Sequence, residues 1–151
     1  MYWYGMMYID FDFDFYLLTL KALIFRSNME IKVLIADDDM EVHQLMADIL
    51  EINFRDVKVE RALTLQSFWA KAAAPAGENP WQMVFLCVDY IKEEPDRFLE
   101  RLKEANPDVQ PKVVITGFAQ DFESCAEDIR QLPFLAKPFS LDAFEDIVKR
   151  V

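Results

Sequence analysis

The sequence predicts an α/β domain: one five-stranded parallel sheet with helices on both faces. Two patterns carry this. Between Met29 and Val151, short apolar, β-branched runs alternate five times with stretches whose apolar residues recur at helical spacing. The first run is short, apolar and β-branched and the third is apolar throughout, as strands covered on both faces are. Such alternation implies parallel pairing through right-handed crossovers. At 151 residues, 53% apolar and 28% charged, the chain fits one domain with a substantial core.

The first strand is Ile31–Ala36 (IKVLIA), followed by the acidic turn Asp37-Asp38-Asp39. Val42, Leu45, Met46, Ile49 and Leu50 form the stripe of the first helix. Val57–Glu60 (VKVE) is a second, more exposed strand. Thr64 is placed to cap a second helix bearing Leu65, Phe68, Trp69 and Ala72. Residues 74–80 (APAGENP) read as a loop insert. Gln82–Val88 (QMVFLCV) is apolar enough for a central third strand. A polar loop should follow, with Pro95 in the first turn of a third helix carrying Phe98, Leu99 and Leu102. Lys112–Thr116 is the fourth strand, and Phe122, Cys125, Ala126 and Ile129 mark a fourth helical stripe. Phe134–Ala136 is a brief fifth strand, ended by Lys137-Pro138. Ser140 then caps a last helix with Leu141, Phe144, Ile147, Val148 and Val151 on its stripe.

Residues 1–28 differ from this domain, which spans 29–151. They are rich in aromatics, and Asp10, Asp12 and Asp14 alternate with Phe11, Phe13 and Phe15. The alternation puts acids and aromatics on opposite faces of a strand. The segment lacks the basic start of a signal peptide. Its apolar run, interrupted by Lys21, is about half the ~20 residues that span a bilayer. Three readings stay open: an added strand and helix packed on the domain or a second copy, a tail of low order, or sequence upstream of a start at Met29.

The formal net charge of −11 argues against a nucleic-acid groove, which needs clustered Lys and Arg, and against an anionic membrane surface. Two cysteines, Cys87 and Cys125, make no disulfide framework and suit a reducing cytoplasm. No output domain is expected after Val151, so the chain acts alone, through a partner, or as a piece of something longer.

In a sheet of this kind, sites form beyond the carboxyl ends of the strands. The first strand delivers Asp37 and Asp38 there, the third Cys87 and Asp89, the fourth Thr116, the fifth Lys137. Crowded carboxylates call for a cation, and hard oxygen donors suit Mg²⁺ with retained waters. A lysine and a hydroxyl aimed at one point suit a phosphoryl group.

The stretches VLIADDD, VVITG and FLAKPF resemble the receiver domain of bacterial two-component response regulators, over Met29 to Val151. The resemblance implies a flavodoxin-like (βα)5 fold. It also implies acceptance of a phosphoryl group from a histidine kinase onto an aspartate ending the third strand, with Mg²⁺ bound. It makes Asp38 the direct metal ligand and Asp37 a ligand through water. Lys137 would pair with the phosphoryl oxygens, Thr116 would hydrogen-bond them, and Phe134 stands at the aromatic switch position. Any enzymatic activity would amount to self-phosphorylation and dephosphorylation. Dimerisation through the last helix face is usual in that family.

At the acceptor the match departs. Laid on the third strand without gaps, the acceptor slot falls on Cys87. A competing register places Asp89 there by shortening the next loop by two residues. On a continuous strand the two side chains would point to one side. The Met-Pro that follows the acceptor in the family is absent, and YIKEEPDRF stands in its place without a glycine. Cysteine cannot form an acyl phosphate and is a poor Mg²⁺ ligand. Cys87 in the slot would make a degenerate receiver acting through protein contacts, Asp89 a conventional phosphorylatable one with Asp89 also a metal ligand. A thiol redox sensor is a third, more distant reading.

Plainer roles compete for each residue. Asp37 to Asp39 suit a helix cap. Lys137 suits a salt bridge to Asp37 or Asp38, kept even in an inactive site. Cys87 suits an inert buried thiol. His43 is expected to be exposed on the first helix, while Cys125, Phe68 and Trp69 read as core.

Overall fold

The computed structural model describes residues 30–73 and 80–150. The extension at 1–28, the insert at 74–79 and Val151 lie outside the described residues. Five strands form one parallel sheet in the order β2-β1-β3-β4-β5: β1 (Ile31–Ala36), β2 (Val57–Ala62), β3 (Met83–Cys87), β4 (Lys112–Gly117) and β5 (Phe134–Ala136). β1 and β5 have the expected bounds. β1 lies between β2 and β3, so the strand order reverses beside it and opens a crevice at its carboxyl end.

Helices cover both faces. Helix α1 (Met40–Asn53) and the last helix, α7 (Leu141–Arg150), pack on one face, where Val33, Ile35, Phe85 and Val114 meet Met46, Leu50, Phe144 and Val148. Phe85 and Phe144 stack with ring centres 5.2 Å apart. The other face carries α2 (Leu65–Ala72), α3 (Val88–Glu93), α4 (Phe98–Ala105) and α6 (Glu127–Arg130) on Leu34, Leu86 and Ile115. Burying each such side chain stabilises the fold by about 1.5–3 kcal/mol. The caps follow the sequence: Thr64 accepts from the Ser67 amide at 3.0 Å, and Ser140 from the Ala143 amide at 3.1 Å. Asp39 caps α1 through the amides of Glu41 and Val42.

Two expectations are corrected. The third strand stops at Cys87, and the expected polar loop is the helix α3. Val88, Tyr90 and Ile91 are buried, whereas Asp89, Lys92 and Glu93 face out, so the segment has an apolar side to bury. Pro95 disfavours helical geometry at Glu94 and ends α3. It therefore lies between two helices and not in the first turn of α4, which starts at Phe98 after Arg97 in left-handed geometry (φ 58°). The fourth helical stripe is likewise split, into α5 (Ala119–Glu123) and α6, with Cys125 and Ala126 between them. The Asp121 carbonyl accepts from the Ser124 hydroxyl at 2.7 Å and the Cys125 thiol at 3.4 Å, local bonds that compete with helix continuation.

Candidate functional site

The backbone brings the predicted residues together in unequal ways. The Asp37 amide donates to the Ala62 carbonyl at 3.1 Å, fixing the chain as it leaves β1. Asp37 is buried. One carboxylate oxygen accepts from the Asp39 amide at 2.9 Å, and the other forms an ion pair with the Lys137 ammonium. The Lys137 amide donates to the Gly117 carbonyl at 2.8 Å, anchoring the residue to β4, and the Lys137–Pro138 bond is cis. Burial alone would lower the lysine pKa. The hydrogen bond to Asp37, with the nearby acidic groups, outweighs it and raises that pKa.

Cys87 ends β3, directly across from Thr116 in the β3–β4 register. Both are buried. The Lys137 ammonium lies 3.9 Å from the Cys87 sulfur. The thiol in turn points toward a carboxylate oxygen of Asp89 at 3.7 Å. Asp89 is exposed and sits in the first turn of α3, not on a strand, so the expected strand alternation does not relate it to Cys87. Burial pushes the Cys87 thiol up to about 11. A hydrogen bond with the Asp89 backbone and the charge of Lys137 pull against that, while the charges of Asp37 and Asp89 add to it.

Asp38 is exposed, and its charge adds to that of Asp37 in raising the Lys137 pKa. Among the described residues no group of three or more His, Cys, Asp or Glu side chains is arranged to hold a metal ion. Mg²⁺ demands a near-octahedral set of oxygens. Here one acid is bound to an internal ammonium, one faces solvent and one faces a thiol, so the donors as they stand do not fit that ion.

Two features beside the cluster were not anticipated. His43, expected on the surface, is fully buried. Its Nε2–H donates to the Asp37 carbonyl at 2.5 Å, while Nδ1 has no partner among the described residues. The signal was available: His43 follows Val42 and precedes Met46 and Ala47 on a stripe wider than the one drawn. The second is α3 itself. The Tyr90 hydroxyl donates to the Ala62 carbonyl at 3.3 Å, and Val88 packs on Gly117, so α3 reaches from β2 to β4 across the carboxyl end of the sheet. Burial, then the charges of Asp38 and Asp37, raise the Tyr90 pKa. Phe134, at the expected switch position, is half buried and stacks on Phe122 at 4.1 Å.

A parallel sheet in this order with helices on both faces is a flavodoxin-like α/β fold, and it carries acids after β1, a hydroxyl on β4 and Lys-Pro after β5. Solved structures agree on the fold. The chain is similar to NtrX from Brucella abortus, solved in complex with ADP, at 22% identity and a TM-score of 0.59. The match covers 81% of this chain and 26% of that one, so the chain spans about a quarter of the NtrX length. It is also similar to a response regulator from Thermotoga maritima (19% identity, TM-score 0.58, covering 81% and 97% of the two chains). The chemotaxis protein CheY4 of Vibrio cholerae gives 17% identity and a TM-score of 0.53, covering 82% and 99%. No family model and no curated protein sequence matches the chain. Among the described residues, no helix is long and apolar enough to cross a membrane.

Proposed function

We propose that this chain is a degenerate receiver domain, a cytoplasmic signalling module of the two-component type that works by binding a partner protein and not by turning over phosphate. The observation that carries this is the identity and setting of the residue ending β3. Cys87 stands opposite Thr116 and within 3.9 Å of Lys137, at the point where the resemblance calls for an aspartate. A thiol there cannot form an acyl phosphate, and the ammonium that would bind phosphoryl oxygens is already paired with Asp37. The partner is a histidine kinase or another signalling protein. The charge of −11 disfavours nucleic acid.

One observation favours the conventional alternative. A carboxylate oxygen of Asp89 lies 3.7 Å from the Cys87 sulfur and is open to solvent, so an acid is present at the mouth of the cluster. The redox reading is weaker, because a thiol raised to about 11 is protonated at neutral pH and thiolate is the reactive form. Incubation with acetyl phosphate and Mg²⁺ followed by intact mass separates the readings. The degenerate receiver gives no adduct on folded protein. A phosphoryl adduct that disappears in Asp89→Asn overturns it in favour of the conventional one, and sulfenate trapping on Cys87 revives the third.

A further inference from the structure

We propose that the groove at the amino-terminal end of β4 binds a small amphipathic anion, an apolar chain or aryl group carrying a carboxylate or phosphate. It lies at the opposite end of β4 from Thr116, and the proposal does not rest on the reading above. The groove has a volume of about 650 Å³, within the range of small-molecule sites. Its apolar wall comes from Leu99 and Leu102 of α4, Val113 of β4 and Leu132 ahead of β5. Leu99, Val113 and Leu132 pack on the core yet stay only half buried, so apolar surface is left lining the groove. A ligand with an apolar body removes that surface from water.

The charges select the head group. Lys103, Lys112 and Arg150 line the groove with one acid, Asp128. In a chain of net charge −11, Lys103 and Arg150 alone already outnumber the one lining acid. Asp128 also accepts from the Ile129 amide at 2.9 Å. Lys103 and Arg150 have no ion pair among the described residues. An arginine fork beside a lysine matches the oxygens of a carboxylate or phosphate.

The test titrates the full chain with 1-anilinonaphthalene-8-sulfonate by fluorescence, then displaces it with octanoate, octyl phosphate or uncharged octanol. Saturable binding is expected, with one of the two anions displacing the probe at roughly tenfold lower concentration than octanol. The better anion identifies the head group. The Lys103→Glu, Arg150→Glu double variant should weaken the anions by about tenfold or more at unchanged circular dichroism. Gln131→Trp, at an exposed lining position, should block the groove with its charges intact. Octanol as effective as both anions, unsaturable binding, or wild-type affinity in both variants would overturn the proposal.

Discussion

Lys137 and Asp37, 100 positions apart in the chain, close an ion pair at the carboxyl end of the sheet. The aspartate side chain is 1% exposed and the lysine 16%. A carboxylate buried this far needs a partner charge. In this chain that charge is covalently part of the protein, and the same ammonium sits next to the Cys87 thiol.

Lys137→Met removes the cation and leaves the carboxylate buried alone. Stability should fall by about 2–4 kcal/mol, read from urea unfolding. Asp37→Asn combined with Lys137→Met should recover more than half of that loss, because the uncompensated charge is gone. A single-variant loss below ~0.5 kcal/mol would show the pair to be no more than a surface contact.

The Cys87 thiol predicts an alkaline limit to stability. Its folded pKa, about 11, lies above the ordinary 9.0, so folding favours the protonated thiol. That contribution is whole below pH 9 and is lost as pH rises through 11. It amounts to roughly 2–3 kcal/mol at most. Unfolding curves between pH 8 and pH 11 should decline more steeply for the wild type than for Cys87→Ala. In a Cys125→Ala background, iodoacetamide at pH 8 should label Cys87 only as fast as the protein opens.

Gly117 has φ of +148°, and a Cβ there would lie 2.5 Å from the Val88 side chain. Gly117→Ala should cost about 2–3 kcal/mol through strain and clash. Val88→Ala should relieve the clash but not the backbone strain, so the double variant recovers only part. Additive losses in thermal melts would mean that α3 does not press on β4 as described.

Metal response separates the present donor set from a complete one. The melting temperature of the wild type should not respond to 10 mM Mg²⁺ beyond a matched ionic-strength control. Cys87→Asp adds a carboxylate at the end of β3, near Asp37. It should be less stable without metal and regain about 1 kcal/mol or more with it, a shift of roughly 2–4 °C. A comparable Mg²⁺ shift in the wild type would count against the degenerate reading.

The order of strands and helices was legible because each apolar run carries its own period. Ile31–Ala36 and Phe134–Ala136 need no tertiary context to be recognised as strands, and both bounds hold. The cap residues Thr64 and Ser140 were equally local, since a hydroxyl three residues before an amide acts within one turn. The Asp37–Lys137 pair was among the alternatives that the residue types allowed.

Local pattern could not settle the end of β3. A run such as VFLCVDY is apolar enough to extend the strand through Val88, whereas in the fold Val88–Glu93 is a helix whose apolar side meets Gly117 and Ala62. For the same reason the sequence left Cys87 and Asp89 as rivals for one slot, while the fold puts one at the strand's end and the other in a helical turn. His43 shares the buried stripe of Met46 and Ala47, and the loop leaving β1 supplies the carbonyl that its ring meets. The sequence by itself determined the order of the strands along the chain, the helices α1, α2 and α7 and the residue types at the sheet's carboxyl end, because these follow from periodicity. The tertiary structure alone decided which acid meets the ammonium, because charge pairing depends on distances between segments that share no local pattern.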